Sequence, residues 1–450
     1  CFIFYYLFHA LYFKRGTRMK DLNDLVKISN LVGNNINYIQ GGGGNTSVKL
    51  NHYDMAIKAS GSKLKEMTLD NGYCNVNFQD INDYLGVRFL REKNNKLKLV
   101  GCSIFNNLQI LASGLKILLS GGNIQNSAGL LIEGFFNASI HGDIVGQILK
   151  TAAVENLLID EIKCVVKNSY YLTGSFVKGD GVGHAEPTEI NLDIKSSEDQ
   201  SKIKNLVNKC SKLSPVLTAL RTPLKNTFSL IANGRRKNLS SLNESSLDNP
   251  EDPYNYYKKQ PSPSENDFFS DRMIVKTGEV SSGKVEPVDG YNISKNSKNV
   301  SENSNFNKII RTIVGKSTTK PSDDIIEVDT VLGLPGMTHF VISMDFNGII
   351  APSPVNTMGA AISFCFLTQT HRYIHHQKFN IEGLRMSQYA TFKENSDGSI
   401  QMLPLDTHLF MNGSASDEHN EKLIDMSEKT CYLHATLSKA LEPNININFN

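Results

Sequence analysis

Cys365 and Cys431 stand in two segments that read as apolar helices, MGAAISFCFLTQTHRYIHHQKFNIEGL and EKLIDMSEKTCYLHATLSKALEPNININF. Two thiols housed this way can form a dithiol couple. One sulfur attacks as the thiolate, and the other captures the oxidised product before it oxidises further. The chemistry requires the helices to meet with the Cα atoms within roughly 7 Å, which spacing alone leaves open. A packing reading stands beside it. Cys365 lies among Met358, Ile362, Phe364, Phe366 and Leu367, and Cys431 shares a helical face with Ile424 and Ala435. Free cysteine in such company behaves as a small hydrophobe.

The elements that must position the pair occur twice. An apolar helix, a β segment, a second helix and a closing strand also occur in the earlier part of the chain. Asp143 and Ser214 occupy the matching places there, with a separation close to that of the two cysteines. Ile159 and Ile162 follow Asp143 by sixteen and nineteen residues, as Ile381 and Leu384 follow Cys365. The earlier copy's helices are expected over about Ala128–Val154 and Asp199–Leu213, with IDEIKCVV as a strand between them. In the later copy, strands at IIRTIVG, IIEVDTVLG and THFVISMDF precede a helix from about Pro354 to Gln377.

Composition narrows the class. Lys+Arg at 47 against Asp+Glu at 45 leaves +2, so neither a basic stripe for nucleic acid nor an acidic tail is present. Seven scattered cysteines do not form a secreted disulfide framework, which favours a reducing cytoplasm. The apolar run CFIFYYLFHALYF is too short to span a bilayer, and its basic residues follow it. It reads as upstream sequence or a leader. Five segments result: 1–18, the leader; 19–84; 95–232, the earlier repeat; 233–305, a Ser/Asn/Lys/Pro-rich linker or insertion with MIVKTGEV as a stray strand; and 306–450, the later repeat with both cysteines.

SPVNTMGAAISFC, IEGL sixteen residues after the cysteine, and TCYLHATLSKALEP before an alternating strand together resemble the OsmC/Ohr family of osmotically inducible and organic hydroperoxide resistance proteins. The resemblance implies an α+β fold of curved antiparallel sheets wrapping central helices, completed by dimerisation. Here the two repeats would form an internal pseudo-dimer, with further oligomerisation left open. It also implies a thiol peroxidase in which Cys365 attacks an organic hydroperoxide, Cys431 resolves the product as a disulfide, and a dithiol reductant regenerates both, with no cofactor and no metal. The family's glutamate, ten residues before the attacking cysteine, is replaced by Val355 in Ser353-Pro354-Val355. Glu133 lies ten residues before Asp143, on the copy without thiols. For the family's activating arginine the chain offers Arg311, with Lys316 or Lys320 beyond it.

IQGGGGNTSVKL, IKASGSKLKEMT and GYCNVNF resemble the start of the class II aldolase/adducin family, which implies a truncated α/β segment over 19–84. A Gly run can turn its N–H groups inward as an anion nest. By the resemblance, Asn45, Ser60 and Gly61 would surround a substrate phosphate. The family's zinc ligands include a His-x-His pair, and no two histidines here stand two apart. His371 and His375, four apart on the Cys365 helix, are the remaining candidate ligands. The expected function is therefore hydroperoxide reduction. Non-catalytic binding of a hydrophobic or phosphorylated small molecule is the second reading, and a sugar-phosphate aldolase is a distant third.

Overall fold

A computed structural model of the chain describes residues 15–34, 46–51, 54–59, 63–77, 124–175, 178–253, 255, 259, 274–280, 311–332, 338–395 and 400–449. The β-like runs expected over 97–120 lie outside them. The described residues divide into two compact units, one within 1–87 and 110–128, the other within 88–109 and 129–450.

The first unit holds helix α1 (Arg15–Gly33) and an antiparallel sheet of β1 (Ser47–Lys49), β2 (Asp54–Lys58) and β3 (Tyr73–Asn77). Leu25, Ala56, Leu64 and Met67 close its core, and Asn30 ties the helix to the Met67 carbonyl at 3.0 Å. The helix includes Arg15–Gly33, four residues more than the expected start at Met19, so Arg15 and Arg18 already belong to it.

In the second unit, helix α2 (Ile124–Glu155), which belongs to it from residue 129 on, leads through β4 (Glu161–Thr173), β5 (Val182–Ala185) and β6 (Glu189–Lys195) to helices α3 (Gln200–Leu213) and α4 (Pro215–Arg221). Strands β7 (Asn226–Ala232), β8 (Arg235–Lys237) and β9 (Ile274–Val280) follow. The later half supplies β10 (Arg311–Thr319), β11 (Ile326–Leu332), β12 (Thr338–Met344) and α5 (Pro354–Gln377). It continues with β13 (Ile381–Tyr389), β14 (Phe392–Glu394), β15 (Ile400–Met402) and β16 (Leu405–Gly413), then α6 (Asp417–Thr430), α7 (Tyr432–Ser438) and β17 (Asn444–Phe449). The large sheet runs β17-β6-β4-β10-β11-β12-β9, with β5 beside β4, and a second sheet runs β13-β16-β7-β8.

Most pairings are antiparallel, as expected, but two are parallel. β7, which follows α4, lies beside β16, and β17, which follows α7, lies beside β6. Each closing strand thus pairs with a strand of the other half. Parallel pairing demands a long connection, and here whole helices provide it.

Local chemistry sets the helix ends. Ser353 accepts from the Asn356 N–H at 3.3 Å, and Pro354 sits at the first position of α5, where no N–H is needed. Lys378, at φ 54°, ends that helix in the left-handed conformation. Helix α2 is buried on nearly all sides, through Phe135, Phe136, Ile140, Ile144, Val145 and Ile148. Its polar residues find partners inside the core: Asn137 donates to the Val166 carbonyl at 3.0 Å and to Asn168 at 2.8 Å, and His141 meets Ser317 at 2.9 Å. Gly315 of β10 makes this approach possible, because a Cβ there would collide with the Asn137 amide oxygen.

Part of the expected linker is structured. β8 pairs with β7, Arg236 binds the Ser245 and Asp248 carbonyls, and Arg385 grips Asp252 with both carboxylate oxygens at 2.9 and 2.6 Å. β9 joins the edge of the large sheet against β12. Polar composition did not prevent order in these stretches, because hydrogen bonds to the later half replace apolar burial as the anchor.

Candidate active site

Cys365 lies within α5 and Cys431 between α6 and α7, and the three helices pack together. Both cysteines are free and buried, at 3% and 0% exposure. Their sulfurs share a hydrogen bond. One expectation needs correction. Cys431 is not inside a helix with Ile424 and Ala435 above and below it. The helix breaks there: Cys431 adopts an extended backbone (φ −75°, ψ 115°), capping α6 at its end and α7 at its start.

That break has a chemical consequence. The first N–H groups of a helix have no partner within it, and they carry partial positive charge. Those of Tyr432 and Leu433 are directed at the Cys365 sulfur. The Cys431 thiol, these two N–H groups and the Arg372 charge hold the Cys365 thiol below its ordinary range, against the opposing effect of burial. Cys431 shifts the other way. Burial pushes its thiol well up, and the hydrogen bond to Cys365 and that neighbour's charge add to it. The two thiols are therefore shifted in opposite directions, Cys365 down and Cys431 up.

Around the sulfurs lie further groups, of which the sequence analysis singled out Arg311 alone. Tyr170 of β4 stacks on Tyr432, with ring centroids 5.3 Å apart, and Arg311 donates to the Tyr432 hydroxyl at 3.0 Å. The Tyr170 hydroxyl is buried with no hydrogen-bond partner among the described residues. Its ionisation is raised by burial first, then by the charges of Glu133, Cys365 and Cys431. His434, one turn after Cys431, places Nδ1 3.1 Å from that sulfur. Arg372 stands seven residues after Cys365, two turns along the same helix face. That spacing was the signal available in the sequence for it.

Glu133, carried by α2 of the earlier half, is buried within electrostatic reach of Cys365, Arg311 and Arg372. Burial raises its carboxyl strongly, Cys365 adds to the rise, and the two arginines oppose it. Arg311 and Glu133 are thus brought to the cysteines. Lys316 is on the same strand as Arg311, and Lys320 is beyond its end.

In the earlier half, Asp143 and Ser214 meet in the same way. Ser214 breaks the chain between α3 and α4 and donates its hydroxyl to the Asp143 carboxylate, which also accepts from the Val216 N–H at 3.0 Å. Burial raises the Asp143 carboxyl to about 6, against these two hydrogen bonds.

Asn45, Ser60 and Gly61 lie outside the described residues, as does the side chain of His375. Among the described residues, one grouping has the proximity a metal needs, Glu279, Asp329 and His339, and His371 does not belong to it. His339 Nδ1 meets both Asp329 carboxylate oxygens, at 2.9 and 3.0 Å.

Residues 346–446 match the family model for OsmC-like protein and form an OsmC-like domain. That span contains both cysteines, Arg372 and His434. No curated protein matches the chain. Among solved structures, an OsmC-like protein from Mycoplasma pneumoniae is similar at 16% identity over 30% of this chain and 87% of its own, with a TM-score of 0.21. An OsmC-like hydroperoxide resistance protein from Jannaschia sp. CCS1 is similar at 19% identity over 26% of this chain and 78% of its own, with a TM-score of 0.19. No helix among the described residues is long and apolar enough to cross a membrane.

Proposed function

We propose that the chain is a thiol peroxidase that reduces organic hydroperoxides through Cys365 and Cys431. The observation that carries this reading is a pair of buried free thiols shifted in opposite directions: donors from Cys431, Tyr432 and Leu433 lower Cys365, while burial raises Cys431. The Cys365 thiolate attacks the outer peroxide oxygen and the O–O bond breaks. The alkoxide leaves as the alcohol after taking a proton, and Cys365 becomes a sulfenic acid. Cys431 then attacks that sulfur, water departs, and a disulfide forms. An external dithiol, such as a reducing cytoplasm supplies, returns both thiols.

In this reading the two halves are OsmC-like repeats paired as an internal pseudo-dimer, with the earlier one degenerate. The earlier repeat contributes Glu133 to the charge balance around Arg311, Arg372 and Cys365. The amino-terminal unit is an aldolase-like remnant without a part in the chemistry.

The near-complete burial of both sulfurs favours the second reading, a binding protein for a hydrophobic small molecule. Turnover separates the two. With dithiothreitol as reductant, the peroxidase reading expects consumption of cumene hydroperoxide with many turnovers per chain, lost in Cys365→Ser. Consumption no greater than with dithiothreitol alone supports binding instead.

A further inference from the structure

The resolving thiol faces a contradiction. Cys431 must attack the oxidised Cys365 as a nucleophile, yet its burial holds the proton on it. The Leu433 and His434 N–H groups also lower its thiol without offsetting burial, and an N–H can only donate. A side-chain nitrogen also reaches its sulfur: His434, with Nδ1 at 3.1 Å.

We propose that His434 is the proton acceptor for Cys431 in the disulfide-forming step, an inference that rests on the peroxidase reading above. His434 is 1% exposed and its ring lies against Phe366, with centroids 5.2 Å apart and planes tilted by 45°. Its Nε2 has no hydrogen-bond partner among the described residues, so the ring's polar contact is spent on one sulfur. In the reduced pair the Cys431 S–H is given to the Cys365 sulfur; once Cys365 is a sulfenic acid that proton turns to Nδ1, with Nε2 carrying the ring proton. Burial lowers the ring to about 3, so it is neutral at neutral pH and holds the thiol's proton only in passing, until the departing hydroxide takes it. A buried imidazolium also returns its proton readily.

The step balances. The Cys431 sulfur bonds to the Cys365 sulfur as its proton passes to Nδ1. The S–O bond of the sulfenic acid breaks, and hydroxide leaves with the electron pair and takes the proton from the ring, giving water. The thiol and the sulfenic acid become one disulfide, and the oxidising equivalents come from the hydroperoxide already consumed. The plainer alternative is that His434 only fills space beside Phe366. A packing residue would be replaceable by phenylalanine with no effect on this step.

The test is rapid mixing of the reduced full chain with cumene hydroperoxide, quenched at intervals and read by intact mass. His434→Phe keeps the bulk and removes the nitrogen. Cys365 should oxidise within about twofold of the wild-type rate, while disulfide formation should slow roughly tenfold or more, the scale of a lost general base. The stalled sulfenic acid should then gain oxygen towards a sulfinic product about 32 Da heavier than the thiol. His434→Gly provides the second arm: added imidazole should restore much of its disulfide rate. Wild-type disulfide rates in either variant, or a deficit that imidazole does not relieve, would overturn the proposal. Absence of any Cys365 oxidation in the wild-type chain rejects the peroxidase reading itself, a separate result.

Discussion

The two halves of the second unit build the same hydrogen-bonded corner from different atoms. In the later half, the Cys365 sulfur receives the Cys431 thiol and the N–H two residues beyond it, that of Leu433. In the earlier half, the Asp143 carboxylate receives the Ser214 hydroxyl and the N–H two residues beyond it, that of Val216. Both corners depend on a chain break that leaves helix donors free: Ser214 opens α4 and Cys431 opens α7. The corner is thus an anion-accepting device of the fold, and the identity of the atom placed in it decides whether redox chemistry follows. The donors are not sufficient by themselves. Asp143 is still raised to about 6 by burial, whereas Cys365, which also feels Arg372, falls below its ordinary value.

The comparison can be broken most sharply by exchanging atoms. Cys365→Ser should reduce hydroperoxide turnover to background, a loss of roughly a thousandfold or more, as for a removed nucleophile. Asp143→Asn should leave turnover within about twofold, since no bond to that carboxylate changes in the proposed cycle. The double variant Asp143→Cys/Ser214→Cys should form a disulfide in the earlier half under a chemical oxidant such as diamide, detected by peptide mapping. It should add no peroxidase activity to a chain that also carries Cys365→Ser. If it does, the charged groups around Cys365 are not what activates a thiol here.

A smaller effect sharpens the electrostatic part. Arg372→Met should slow alkylation of Cys365 at neutral pH by roughly 5- to 20-fold, the scale on which one nearby opposite charge acts. The pH at which the thiol becomes reactive should move up. An unmoved pH profile would assign the lowered thiol to the Cys431, Tyr432 and Leu433 donors alone.

The smallest effect concerns stability. Asp143 is raised in the folded chain to about 6 from an ordinary 3.8, so the native state holds the extra proton between those values. Its contribution is complete below about pH 4 and is lost as pH rises through about 6, costing about 3 kcal/mol. Urea unfolding at pH 4 and pH 7 should show that loss in the wild-type chain, and Asp143→Asn should remove this share of it, leaving the share of the raised Glu133.

How much of this was legible in the sequence follows from range. The long helices, the strands between them and the matching of Asp143 with Cys365 and Ser214 with Cys431 rest on local periodicity and spacing, and the elements formed close to where expected. The break at Cys431 did not show, because TCYLHATLS carries no proline or glycine to mark it. The corresponding stretch of the earlier half, SPVLTALR, does, with Pro215 opening α4. The exchange of β7 and β17 between sheets was not legible, since no local pattern distinguishes a closing strand that pairs at home from one that pairs abroad. Arg372 and His434 lie at helical spacing from the two cysteines but look like ordinary helix residues until the break and the packing bring them to the sulfurs.

The central claim is that Cys365 and Cys431 form one redox unit. Its most direct measurement adds one equivalent of cumene hydroperoxide to the fully reduced chain, followed by intact mass and peptide mapping without reduction. The account predicts a loss of about 2 Da, with a single disulfide joining the peptides that hold Cys365 and Cys431. An unchanged mass, or a disulfide between other cysteines, would contradict it.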